Sequence, residues 1–264
     1  MTSINRERDV YFNDTHEAFR ESVRRFVDRE INPHMDEWEE TVVPLHDLLK
    51  KMGDLGFLGI RYDPRYGGQG LDYWFETVFL EELGHVHGLG VPTAVVVQTH
   101  LATPSLDMFG SEYLKEKYLM PAIAGDVVTA LAVTEPGAGS DVFAIQTKAV
   151  KKGDAYVLNG AKTYITNGTQ ADYLTLLAKT SDEPGYHSFG LFIVPTNLPG
   201  FVISKKLDKL GLRSSDTAEL FFDDVRVPAE NIIGAEGEGF IYQMKQFQHE
   251  RFATLPGTYV CIQD

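Results

Sequence analysis

The chain has 264 residues, 43% of them hydrophobic, with 24 lysines and arginines against 38 aspartates and glutamates, for a net charge of −14. That length can bury a sizeable core in more than one layer or domain, whereas so acidic a surface excludes nucleic acid and anionic membrane as partners, since both need basic patches. The single cysteine, Cys261, excludes an internal disulfide framework, and the start MTSINRERDVYF lacks a signal peptide's apolar core, with no apolar run long enough for a bilayer, so a cytoplasmic protein without a membrane span is expected.

From about Asp14 to Asp126 the pattern is helical. Asp14 and Glu17 have capping-box spacing, and Phe19, Val23, Phe26 and Val27 share one helical face. Breakers punctuate the run: the loop DPRYGGQGLD at 63–72, then Gly88 and Gly90, then Gly110 and Ser111 before the amphipathic EYLKEKYLMPAIAG. DEWEE at 36–40 reads as a solvated face, and Phe79, Leu80 and Leu83 as helix core. His85 and His87, two apart, point to different faces, so no metal site is expected there.

Short strands alternate with turns from Val127 to about Gly234. The β-rich run VVTALAV stops at Thr134-Glu135-Pro136, because proline donates no backbone N–H. Gly137, Ala138, Gly139 and Ser140 follow with small side chains and bare amides that let backbone approach a phosphate or a planar ring. A dinucleotide-binding unit would need a helix after these glycines and an acidic residue roughly 20 positions on. Hairpin chemistry appears instead: KKGD at 151–154 and NGAK at 159–162 read as turns between strands at 155–158 and 163–166, which places the glycine turn in an antiparallel sheet. Further strands are expected at 190–194, 201–204, 220–222 and 225–227, separated by PG and DD turns. A helix begins again at Glu238.

TEPGAGSD at 134–141, KTYITNG at 162–168 and GLRSSDTAELFFDDVRVPAENIIG at 211–234 stand in the order and at the separations of the acyl-CoA dehydrogenase family, and the chain resembles that family from its first helix to its last residue. The resemblance implies an α+β fold: an N-terminal α-helical domain at 1–126, a central antiparallel β-barrel-like, flavin-binding domain at 127–234, and at 235–264 the first helix of a C-terminal helical bundle, most of which lies beyond Asp264. It implies FAD as cofactor, with Leu131, Val133, Thr134, Gly139 and Ser140 lining the flavin, Tyr164 packing on the ring where the family often has tryptophan, and Ile165 and Thr166 beside it. Ser140 also falls where relatives contact the acyl-CoA.

The last helix carries QFQHERF. In one branch of the family, similar to the isovaleryl and long-chain enzymes, the glutamate at the position of Glu250 removes the proton next to the thioester carbonyl while the neighbouring carbon gives hydride to the flavin; Gln248 and Arg251 match substrate-contacting positions. Taken by itself, Glu250 reads as part of a helix-surface charge cluster with Lys245, His249 and Arg251, and Arg251 as one half of an ion pair. Leu210, Leu212 and the Arg213–Asp216 segment could hold cofactor or CoA, or simply turn the chain. The resemblance further implies an acyl-CoA substrate in fatty-acid or branched-chain acyl catabolism, an electron-transfer flavoprotein as electron acceptor, and a homotetramer in the full-length form. A flavin-dependent oxidase or monooxygenase on the same scaffold, and a non-catalytic acyl-CoA-binding relative, stay open as alternatives.

Overall fold

The computed structural model describes residues 11–263. Its helical domain comprises α1 (Asp14–Phe26), α2 (Met35–Thr41), α3 (Leu45–Asp54), α4 (Tyr73–Leu83), α5 (Gly90–Val96), α6 (Pro104–Phe109), α7 (Glu112–Leu114) and α8 (Met120–Ile123), with a π-helical stretch, Val97–Ala102, continuing α5. Strands β1 (Thr129–Ala132), β2 (Lys148–Lys152), β3 (Ala155–Thr166), β4 (Tyr173–Lys179), β5 (Phe189–Pro195), β6 (Phe201–Lys206) and β7 (Thr217–Pro228) follow, and α9 (Gly239–Gln263) closes the described chain. No helix among the described residues is long and apolar enough to cross a membrane.

The cap of α1 lies one residue earlier than its spacing suggests. Asn13 Oδ1 accepts from the N–H groups of Thr15 and His16, and His16 Nδ1 accepts from Asn13 N–H, so a histidine closes the box. Asp14 and Glu17 instead sit in the first turn, where negative charge suits the helix dipole. DEWEE is not wholly solvated either: Trp38 is buried, and Glu39 accepts from Ser214 Oγ and from Arg213 N–H, tying α2 to the loop before β7.

The seven strands form one mixed sheet in the order β1-β4-β2-β3-β7-β6, with β5 also paired to β4. The expected antiparallel sheet is corrected at two pairings: β4 runs parallel to β1 and meets β2 in parallel at Lys148 and Lys179. Two expected turns are also corrected. NGAK does not reverse the chain, because β3 runs unbroken through it, and DD does not divide β7. NG and DD face each other at one bulge in the β3–β7 ladder, and a second bulge follows further along β3. Leu158 faces Val225 but Gly160 faces Phe222, so β7 carries one extra residue there; Lys162 faces Leu220 but Ile165 faces Ala218, so β3 carries one extra residue further on. The first bulge is clasped by Asn159, whose Nδ2 donates to Asp224 Oδ1 (2.9 Å) and whose Oδ1 accepts from Asp224 N–H (2.9 Å). Each bulge switches the parity of its strand: the first lets Val225 and Val227 enter the same core as Phe222, Leu220 and Ala218, and the second lets Ile165 join Tyr156 and Leu158 there.

Strand β4 and its edge partner β5 are apolar on both faces. Tyr173, Leu177, Phe189, Leu191 and Ile193 join a core shared with the helices, while Leu174, Leu176, Phe192 and Val194 join the core on the other face. Burying each such leucine or phenylalanine contributes about 1.5–3 kcal/mol. A third core fills the helical domain and receives Ala253 from α9. Polar side chains lock helices to sheet: Gln98 Oε1 accepts from Thr129 N–H and Oγ1 (both 2.8 Å), and Asn167 Nδ2 donates to Ala94 O (2.9 Å) and Thr129 O (3.2 Å).

Candidate active site

The loop after β1 is built on a buried ion pair. Glu135 and Ala138 exchange backbone hydrogen bonds (2.8 and 3.1 Å), closing the turn that proline stops from extending as strand. The Glu135 carboxylate accepts from the N–H groups of Gln146 (2.5 Å) and Thr147 (3.0 Å), and from Lys162 Nζ (2.8 Å). Lys162, fully buried on β3, also donates to Val133 O (2.9 Å). Burial pushes the Lys162 ammonium down to about 8 against the pull of Glu135. Burial works against the charge of Glu135 as well, but Lys162 and the two amides hold its carboxyl below the ordinary range. One pair therefore fixes three segments: the end of β1, the glycine turn and β3.

One residue beyond Thr163, whose N–H donates to Thr134 O (3.0 Å), the β3 bulge places Tyr164 in the left-handed region at φ 58°, with 70% of its surface exposed. That side chain, with Leu131, Val133, Thr134, Gly139, Ser140, Ile165 and Thr166, lines an open cleft of about 560 Å3. Gly137 and Gly139 face free space: a Cβ on either would meet nothing within 4 Å.

The far wall of the cleft is α9, with Met244, Phe247, Glu250 and Arg251, and the π-helical stretch adds Val97 and Leu101. Gln246, buried, donates from Nε2 to Leu101 O and so sets α9 against that stretch. Glu250 Oε2 is buried without a hydrogen-bond partner, and burial raises its pKa above the ordinary carboxylate value, with Arg251 opposing. Arg251 Nη1 donates to Phe247 O (3.0 Å) at the cleft wall. Gln248 is exposed and does not line the cleft. Leu210 is fully exposed, whereas Leu212 lies elsewhere, on a second cavity.

That second cavity, about 310 Å3, is apolar and runs between α4, α5 and α9 past Leu80, Leu83, Pro92, Val96 and Ala253. Val97, Leu101 and Glu250 belong to its wall as well as to the cleft's. The Glu250 carboxyl thus stands where a polar cleft meets an apolar pocket, with low-dielectric surroundings that favour taking up a proton.

Family models of the acyl-CoA dehydrogenase N-terminal and middle domains match residues 13–126 and 130–225. The chain belongs to the acyl-CoA dehydrogenase family. It is 39% identical over 242 residues to the mitochondrial long-chain specific acyl-CoA dehydrogenase of Sus scrofa, covering 91% of this chain and 56% of that protein. To the mitochondrial isovaleryl-CoA dehydrogenase of Pongo abelii it is 40% identical over 242 residues, covering 90% of this chain and 57% of the relative. A glutaryl-CoA dehydrogenase from Mycobacterium smegmatis, solved in complex with FADH2, superposes with a TM-score of 0.87 at 33% identity, covering 96% of this chain and 63% of that one. The chain thus spans a little over half the length of the curated relatives it matches.

Among this family member's cleft residues, the eight expected around a cofactor are brought together with Glu250 and Arg251; Gln248 is not. Sequence reading missed Lys162 and Glu135, although a lysine flanked by strand residues in AKTYIT is a visible sign of a buried, paired charge. It also missed Val97, Leu101, Met244 and Phe247, whose presence depends on how α9 crosses the π-helical stretch.

Proposed function

We propose that this chain carries the cofactor and thioester sites of an FAD-dependent acyl-CoA dehydrogenase that converts acyl-CoA to trans-2-enoyl-CoA in fatty-acid or branched-chain catabolism. The observation that carries the reading is the position of Glu250, shared by the polar cleft and the apolar pocket. An acyl chain in the pocket would bring the carbons next to its thioester to that carboxyl.

The cleft fits a flavin. Its glycine turn leaves space that any Cβ would fill, Tyr164 offers a flat exposed ring, and Thr134, Ser140 and Thr166 offer hydroxyls. Bound there, FAD supplies the acceptor for hydride leaving the β-carbon. The chain's own residues do the rest: Glu250 Oε2 takes the α-proton, Val97 and Leu101 keep water from the meeting point of the two cavities, and Ser140 and Arg251 face the cleft to receive polar parts of the thioester. We further propose an electron-transfer flavoprotein as acceptor, a reducing cytoplasm as the compartment, in keeping with the free Cys261, and a homotetramer in the full-length form. For the last, Phe252, Leu255, Tyr259 and Ile262 leave an apolar row exposed along α9. Three domains, at 1–126, 127–234 and 235–264, complete the reading.

Anaerobic mixing of the FAD-loaded protein with short, long and branched acyl-CoAs tests the assignment. Bleaching of the oxidised flavin spectrum by one class is expected; a bound flavin that no acyl-CoA bleaches would remove the dehydrogenase reading.

Two substitutions separate the cavities. Gly139→Leu should fold with an unchanged thermal midpoint, because nothing opposes its Cβ, yet lose FAD by at least about tenfold, the equivalent of one 1.4 kcal/mol clash. Equal FAD affinity in a titration would show that the turn does not face the cofactor. Val96→Phe narrows the apolar pocket from the α5 side and should lower kcat/KM for the longest accepted chains, by about 10–200-fold, while sparing the shortest. A uniform loss across chain lengths would place the acyl chain elsewhere.

A further inference from the structure

We propose that Glu76, His100 and His249 form a site for a divalent cation of the zinc type at the junction of α4, the π-helical stretch and α9. Glu76 and His100 are buried at 7% and 2% exposure, and His249 lies beside them. The three come from different elements and are separated by 24 and 149 positions in the chain, so the fold alone assembles them.

The hydrogen bonding around His100 sets its ring. Thr99 Oγ1 gives its single hydrogen to Val95 O (3.0 Å) and therefore accepts from His100 Nδ1 (2.6 Å). With Nδ1 bearing a hydrogen, Nε2 of a neutral ring turns a lone pair towards Glu76 Oε1, 3.1 Å away. That nitrogen is fully buried and has no hydrogen-bond partner, because the two atoms are close but not aligned for one. Two ligands of one cation have this relation, with lone pairs converging off the line that joins them. His249 Nε2 is 3.6 Å from the same Oε1. Bonds of about 2.0–2.1 Å in a tetrahedron put ligand atoms about 3.4 Å apart, and the two measured separations bracket that edge.

The surroundings complete a metal-site pattern. Thr99 orients one ligating ring through its other nitrogen, and Arg61 Nη1 donates to Glu76 Oε2 (2.9 Å), engaging the carboxylate oxygen that the histidines do not approach. Arg61 Nη1 stands 3.3 and 3.4 Å from the two ring nitrogens of His249, an even-handed approach over the ring that takes neither in-plane lone pair. Two histidines and one carboxylate are a donor set for Zn2+. Held by His249, the neighbour of Glu250 in the chain, a cation here would rivet α9 to the helical domain beside the proposed base.

Chelator-treated protein titrated with Co2+, then with Zn2+, gives the test, alongside zinc content by atomic emission after dialysis. One equivalent per chain is expected, with the intense visible bands of tetrahedral cobalt at wavelengths beyond the flavin, displaced by zinc. Binding should fall to none in His100→Gln and in His249→Gln, each with a wild-type circular dichroism spectrum in chelator. His249, at the rim of the cluster, decides the matter alone if His100→Gln does not fold. Absence of binding by the wild type, or binding that His249→Gln retains, overturns the proposal and leaves the cluster as a buried pairing of carboxylate, imidazole and guanidinium.

Discussion

Glu250→Gln should leave FAD bound and slow its reduction by acyl-CoA by about 10²–10⁴-fold, the span usual for a positioned general base. Glutamine keeps the shape and can still fill the space between the cleft and the apolar pocket, but it cannot take the α-proton. The contrast with binding is what makes the experiment decisive: cofactor affinity by titration should move little, because Glu250 is one wall residue among many, whereas the rapid reduction phase should nearly vanish. Stopped-flow traces that match the wild type would remove Glu250 from the chemistry and return it to the helix-surface role that its neighbours Lys245, His249 and Arg251 suggest by sequence alone.

Lys162→Met is expected to cost about 3–5 kcal/mol of stability, the loss that follows when one partner of a buried ion pair is removed and the other charge stays behind. Here the stranded group is Glu135, 6% exposed, with two backbone amides still donating to it. FAD affinity should drop in parallel, since the same lysine holds Val133 O at the cleft edge. Denaturant titration measures the first effect. A double variant, Lys162→Met with Glu135→Leu, should recover some of the stability, because it deletes the charge as well as its partner. A single variant that loses under about 1 kcal/mol would mean that the amides alone satisfy Glu135.

The helical domain and the strands were legible because each rests on local pattern, helical periodicity up to Asp126 and a proline ending a strand at 136, whereas the residues of the cleft came from the resemblance of three linked motifs to the family. Legibility failed where partners lie far apart in the chain. Asn159-Gly160 and Asp223-Asp224 have the composition of tight turns, and only the pairing of β3 with β7 shows that each is absorbed as a kink within a long strand. Asp14 and Glu17 matched a capping pattern that Asn13 and His16 carry out, since an asparagine carboxamide one residue upstream reaches the same free amides. His85 and His87 drew notice as neighbours in sequence, whereas His100 and His249 meet only through the crossing of α9. The parallel pairing of β1 with β4 was hidden for the same reason: no local signal distinguishes a strand that returns alongside from one that folds back.

The two bulges of the β3–β7 ladder have opposite sense and cancel, so the pairing after them, Ile165 with Ala218, stands in the same register as the pairing before them, Leu158 with Val225. The ladder behaves like a reading frame with a compensated pair of shifts. Losing the extra residue of one bulge, Asp224 for example, would leave Val225 and Phe222 alternating regularly on the face they already share, and would leave the other bulge as it is. Losing a residue where the strands pair one to one would instead carry every side chain beyond it to the opposite face. Length variation in this ladder is therefore expected at the two bulges, each independently, and not in the paired stretch between them.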